Sequence, residues 1–261
     1  PSYDGMVRLT GALPGHVPVL RENYHPDFDE LERHVTAKTK AIILNSPNNP
    51  TGAVYTREET QRLVEFAVDH DLWILDDMIY STLVWTDVGY TSPCAFEGGR
   101  ERTITIGGWS KGWAMTGWRL GWVTGPTNVM DGVKTINVSA ATHVPTFLMP
   151  AAAKALSLDD EVQVMKDAFA ERRVLMHQGL STLPGFIVPE PEGAFYILCD
   201  ITGTGLNDIE FAQQALEHAK VQVIPGSLMQ GGEGLIRISY ATSVDNIHEG
   251  IRRLREWLES R

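Results

Sequence analysis

The chain has 261 residues, of which 43% are apolar and 21% charged, and its 33 acidic against 22 basic side chains give a formal charge of −11. That balance excludes a general nucleic-acid binder, which needs basic surface to displace counterions, and the apolar share excludes a disordered chain. The length suffices for one large or two smaller domains with a substantial core.

In chain order, short β-rich runs alternate with segments of helical period from residue 17 to residue 110, the pattern of βαβ units around a mostly parallel sheet. The clearest unit begins with a buried-strand run at Ala41 to Leu44. Pro47, Asn48, Asn49, Pro50 and Gly52 then force a loop, because each proline removes a donor and holds its predecessor extended. Thr56 to Glu59 reads as a capping box, after which Leu63, Phe66, Ala67 and His70 fall on one helical face, and a strand follows at Trp73 to Leu75. Further strands are predicted at Thr103 to Ile106 and Leu120 to Thr124, with helices at Thr127 to Ile136 and Thr146 to Leu156.

A long helix is predicted from Asp160 to Leu183, closed by Pro184 and Gly185. Beyond it come a strand at Ala194 to Cys199, a helix at Asp208 to Ala219, strands at Val221 to Ile224 and Leu235 to Ser239, and a last helix with Ile247, Ile251, Leu254 and Leu258 on one stripe. The expected class is α/β, a three-layer mostly parallel sheet with helices on both faces, followed by a smaller α+β domain. The expected division is a large domain over 1–170 and a small one over 171–261. No run approaches the roughly 20 apolar residues of a bilayer span, so no membrane partner is expected. Cys94 and Cys199, without partners at metal-like spacing, fit neither a disulfide scaffold nor a zinc site, and this usage fits a reducing cytoplasm. The eight histidines show no metal-like pairing, and no metal site is read.

Taken alone, Lys111 in Gly107-Gly108-Trp109-Ser110-Lys111 reads most often as a solvated surface lysine, and Asp77 after a strand most often as a helix cap. Position shifts the balance, because ligands of open α/β sheets collect at the carboxyl ends of strands, and Asn49, Asp77 and Lys111 each follow a separate predicted strand. Arg237 is flanked by Ile236 and Ile238 inside a predicted strand, and a buried arginine requires an anionic partner.

Four motifs now stand in order: NSPNNPTG at 45–52, DDMIY at 76–80, SKGWAMTGWRLGW at 110–122 and IRISYAT at 236–242. In this order and spacing the chain resembles the fold type I, class I/II aminotransferases that use pyridoxal phosphate, and the resemblance runs over essentially the whole sequence. It implies amino transfer between an L-amino acid and a 2-oxo acid, with Lys111 holding the cofactor as a Schiff base and moving the α-proton. Asp77 matches the carboxylate that keeps the ring nitrogen protonated, and Asp76 is expected to point the other way at the strand end. Asn49 and Tyr80 match the donors to the ring oxygen, with an ordinary half-buried helix aromatic as the alternative for Tyr80. Arg119 matches the arginine on the cofactor phosphate, with Ser110 as an assistant. Gly108 stands where many relatives carry a hydroxyl. Arg237, with Asn49, matches the ligand of the substrate carboxylate, and Tyr3 matches an aromatic ring stacked on the pyridine, with a plain loop tyrosine as the alternative.

Within the same fold a β-eliminating C–S lyase is the main rival, and a non-catalytic regulatory module is a third reading. The resemblance also implies a homodimer with small-molecule partners and no nucleic acid. Relatives hold the cofactor phosphate partly through a small-residue turn at a helix N-terminus. No such turn precedes Asn45, so these residues are expected to belong to a longer polypeptide whose N-terminal segment completes that cup and the dimer.

Overall fold

The computed structural model describes residues 2–261. Contacts divide it into two units. One comprises Thr36–Asn48 and Val54–Asp167; the other comprises residues 2–35, Asn49–Ala53 and Ala168–Arg261.

The first unit is built on a mixed sheet. Strands β1 (Ala41–Asn45), β2 (Trp73–Asp77) and β3 (Thr103–Gly108) run parallel, and β4 (Gly121–Thr124) closes the order β1-β2-β3-β4 antiparallel to β3. The parallel crossover is made by helix α3 (Arg57–Asp69), which begins at the expected capping box: Thr56 Oγ1 accepts from the Glu59 N–H at 3.1 Å while Glu59 Oε2 accepts from the Thr56 N–H at 2.7 Å. Two orphan donors are thereby satisfied at once, which fixes where the helix starts. Its Leu63, Val64 and Ala67 are buried, as are Leu44 on β1 and Ile74 on β2. Helices α4 (Thr127–Ala140) and α5 (Met149–Ala155) follow β4, and α6 (Asp159–Leu180) carries the chain out of this unit.

The second unit begins with α1 (Ser2–Leu9) and α2 (Phe28–His34) and holds a smaller antiparallel sheet of β5 (Tyr196–Asp200), β6 (Ile224–Pro225) and β7 (Leu235–Ser239) in the order β5-β7-β6. Helix α7 (Asp208–Gln214) and helix α8 (Val244–Glu259) complete it. Ile247, Ile251, Leu254 and Trp257 of α8 join Ile197, Cys199, Phe211, Ile236 and Tyr240 in one apolar cluster. The stripe read from the sequence therefore faces a core, and Trp257 adds a T-shaped contact to Phe211 at 5.1 Å.

The architecture is the expected one, but three segments differ in detail. Between residue 17 and β1, where β-rich runs were expected to alternate with helical segments, the chain forms only an isolated bridge, Val19 to Pro26, and α2; the earlier helix α1 was not expected. The helix predicted at 208–219 ends at Gln214 and unwinds into a π turn, and the strand predicted at 221–224 shrinks to Ile224–Pro225. Both follow from one event: Lys220 turns left-handed at φ 58° and the Val221 N–H is taken by the Ala215 carbonyl at 3.1 Å, so it cannot join a ladder. Among the described residues, no helix is long and apolar enough to cross a membrane.

Candidate functional site

In the first unit, β2 and β3 end side by side, with Asp77 paired to Ile106. Because successive side chains on a strand alternate faces, Asp76 and Asp77 part company here. Asp76 is 1% exposed and receives the Tyr90 hydroxyl on Oδ2 at 2.5 Å. Asp77 lies on the other face, at the point where the strand gives way to a turn; its Oδ1 accepts the Ile79 N–H at 3.1 Å, an Asx turn that ends the strand. The Met78 N–H still reaches the Ile106 carbonyl at 3.0 Å, and the turn then brings round Tyr80, whose ring is buried rather than half-buried.

Lys111 follows β3 by three residues and sets its Nζ 6.0 Å from the centroid of the Tyr80 ring. The structure therefore brings Asp77, Tyr80 and Lys111 to the carboxyl ends of adjacent strands. Gly108 has a spatial reason for carrying no hydroxyl: a Cβ there would lie 2.9 Å from the Leu120 carbonyl oxygen and 3.3 Å from Ile79. The β3–β4 ladder pairs Gly108 with Gly121 and continues through the Trp109 N–H to the Leu120 carbonyl at 3.3 Å. Ser110 and Arg119 thus leave the same end of this ladder. Arg119 is exposed, left-handed at φ 53°, and donates from Nη1 to the Thr116 carbonyl at 2.9 Å.

The second unit carries the remaining residues. Asn49 lies in the short excursion Asn49–Ala53, and its Oδ1 accepts from Arg237 Nη1 at 2.9 Å. Arg237 sits on β7, and its guanidinium carbon lies 4.6 Å from the centre of the Tyr196 ring. The β5–β7 register explains that contact: Leu198 faces Arg237, so Tyr196 is its diagonal neighbour on the same face of the sheet. Arg237 Nε is buried without a hydrogen-bond partner, and no carboxylate among the described residues pairs with this guanidinium. A buried N–H donor on a cation, with a neutral amide and an aromatic face beside it, has the chemistry that suits an anion. Tyr3 lies in α1, 38% exposed, on a helix and not in the loop that its plain reading supposed.

Three contributors were missed by reading the sequence. Tyr196 could have been found from strand alternation once β5 and β7 were paired. Tyr90, and the His25–Glu192 pair at 3.0 Å, leave no local signal. The Tyr90 contact matters for pH. Burial, opposed by the Tyr90 hydrogen bond and aided by the charge of Asp77, pushes Asp76 from the ordinary 3.8 up to about 6. Between those two values the folded chain keeps a proton that the unfolded chain has lost, so this carboxyl costs stability as pH rises through the window. Asp76→Asn is therefore expected to stabilise the fold by about 2–3 kcal/mol at pH 8 and to change little near pH 4. Denaturant titrations at both pH values check this; an equal effect at each would show that Asp76 does not titrate in the window.

Comparison with known proteins gives a concordant picture. Residues 1–254 match the sequence profile described as aminotransferase class I and II. An aromatic-amino-acid aminotransferase 2 of Thermococcus litoralis is 42% identical over 100% of this chain and 68% of its own length. An aspartate aminotransferase of Pyrococcus abyssi is 40% identical with the same coverage. Among solved structures, an aromatic aminotransferase from Pyrococcus horikoshii superposes with a TM-score of 0.97 at 39% identity, covering 100% of this chain and 71% of that one. An aspartate aminotransferase from Thermus thermophilus with maleate gives 0.90 at 34%, covering 98% and 67%.

Proposed function

The chain belongs to the aminotransferase class I and II family, whose members use pyridoxal phosphate, and from that premise we propose that it moves an amino group from an L-amino acid to a 2-oxo acid at Lys111. The observation that carries this reading is the grouping of Asp77, Tyr80 and Lys111 at the ends of β2 and β3, an acid, a phenol and an amine on adjacent strand ends. The donor set suits a phosphorylated pyridine aldehyde: an amine for the aldehyde, a carboxylate for a ring nitrogen, a phenol for a ring oxygen, and the Ser110 hydroxyl with the Arg119 guanidinium for a phosphate.

When bound, the cofactor supplies a carbonyl that condenses with amines and a ring that accepts electrons. The protein's part is positional and acid–base. Lys111 Nζ holds the cofactor and then takes the proton from the substrate α-carbon. The Asp77 carboxylate keeps the ring nitrogen protonated by Coulomb attraction. Tyr80 donates to the ring oxygen. Asn49, with Oδ1 engaged by Arg237, is assigned to the same oxygen through Nδ2. Arg237 grips the substrate carboxylate, for which its unpaired Nε is the waiting donor. Tyr3 is assigned to the face of the pyridine, and the working unit to a homodimer.

Relatives named for aspartate and for aromatic amino acids set the first substrates to try. Each donor is incubated with 2-oxoglutarate, oxaloacetate or pyruvate and pyridoxal phosphate, and both products are measured. The expected outcome is one new amino acid per donor consumed, with no ammonia. Pyruvate and ammonia released without an acceptor would indicate elimination instead, and binding without turnover a regulatory role.

Asp77→Asn should keep cofactor in place but lower turnover by on the order of a hundredfold, because a neutral amide no longer favours a protonated ring nitrogen. Asp76→Asn, on the other face of the strand, should change turnover by less than about threefold, since its side chain faces Tyr90 and not the Asp77 side of the sheet. Equal losses in two folded variants would mean that the wrong carboxylate has been assigned.

A further inference from the structure

We infer that His25 is a positioning residue for the carboxylate cradle of Asn49 and Arg237, acting through Glu192; the inference rests on the reading of Arg237 given above. His25 is 5% exposed, and its loop is fixed by its own hydrogen bonds. The Leu20 N–H donates to the His25 carbonyl at 2.9 Å, and the Tyr24 N–H donates to the Leu20 carbonyl at 2.7 Å. Asn23 Oδ1 accepts the His25 N–H at 3.0 Å. The imidazole so held sets Nε2 at 3.0 Å from Glu192 Oε2. A ring nitrogen facing a carboxylate carries the proton, so the contact is a hydrogen bond whether the imidazole is neutral or cationic.

Glu192 lies within a strap, residues 190–196, that touches the loop carrying Asn49 and supplies the ring beside Arg237. Its own N–H and that of Gly193 both donate to the Gly52 carbonyl, at 2.9 and 2.8 Å. Gly52 is left-handed at φ +79°, and a Cβ there would lie 2.7 Å from Pro191 Cβ and 3.1 Å from the Tyr196 carbonyl oxygen. The two backbones are therefore in direct contact, and a shift of the strap must move the loop that carries Asn49. Four residues beyond Glu192, Tyr196 lies under Arg237. Asn49, which accepts from Arg237, and the Tyr196 ring against it thus share one support. Its near end is anchored by Arg173 Nη1, 2.8 Å from the Pro191 carbonyl and 3.0 Å from Glu190. The His25–Glu192 contact anchors its middle, which is where Gly52 attaches. A displaced strap would misplace Asn49 and Tyr196 relative to Arg237 and so weaken carboxylate binding, with no group lost from the chemistry itself.

The test uses maleate and hydrocinnamate, two unreactive carboxylates, titrated calorimetrically into the holoenzyme, alongside kcat and KM for the amino donor. His25→Phe is expected to weaken binding of the tighter probe about tenfold and to raise KM to match, with kcat within about twofold. His25→Gln, whose amide still donates to Glu192, should restore affinity to within about threefold of the parent. Glu192→Ala should reproduce the defect, and it decides alone if His25→Phe does not fold. Arg237→Ala is the reference. If it loses the probe while folded His25→Phe and Glu192→Ala bind like the parent, the role of His25 is overturned and that of Arg237 stands. If Arg237→Ala also binds like the parent, both fall. A drop in kcat as large as the rise in KM, or no rescue by His25→Gln, also overturns the positioning role.

Discussion

Lys111→Ala is expected to lower amino transfer by at least about a thousandfold, because one change removes both the covalent attachment and the base that moves the α-proton. The fold should be indifferent. Lys111 lies beyond the end of β3 and is itself only half-buried; the neighbouring glycines, Gly107, Gly108 and Gly112, are the positions at which an added Cβ would collide, with Trp122, the Leu120 carbonyl and Thr82. Thermal melting separates the two: a variant that melts like the parent and transfers no amino group supports the assignment. One that keeps a tenth of the parent's activity would mean that another amine does the work.

Arg237→Ala carries the second large effect. Truncating one member of a desolvated charge pair costs about 2–5 kcal/mol, which corresponds to roughly thirtyfold to a few thousandfold in KM for donor and acceptor alike. Folding should survive, since the residue bonds a neutral amide and lies on an aromatic face, and its loss strands no buried carboxylate. Arg237→Lys is expected to fall between, because an ammonium keeps the charge but not the planar two-donor fork. An unchanged KM in Arg237→Ala would remove this residue from the substrate site.

The elements that position these residues were largely legible because each is written locally. β1, β2 and β3 are short apolar runs bounded by turn formers, α3 is announced by the reciprocal Thr56–Glu59 cap, and the stripe on α8 repeats at helical spacing. Helix α1 was not legible: none of its residues is buried, so it has no packed stripe to betray it. The short strand β6 was overread for the opposite reason, since Val221 to Ile224 has strand composition but follows a left-handed Lys220. Composition reports what a segment could bury, and the backbone beside it decides whether it can pair.

At the site, the strand ends placed Asp77 and Lys111, while their roles came from resemblance. Alternation along β2 was enough to separate Asp76 from Asp77. Tyr90, the partner of Asp76, was out of reach at 14 residues' separation, and in the other unit so was the His25–Glu192 pair, 167 residues apart. No periodicity spans such intervals; only the folded backbone closes them.

Borohydride reduction of the protein loaded with pyridoxal phosphate, followed by peptide mass mapping, tests the central assignment most directly. The reductant fixes the cofactor to whichever amine holds it, independently of substrate and turnover. The expected result is a single pyridoxyl label, at Lys111, lost in Lys111→Ala. A label on another lysine, or none under conditions in which the parent turns over, would contradict it.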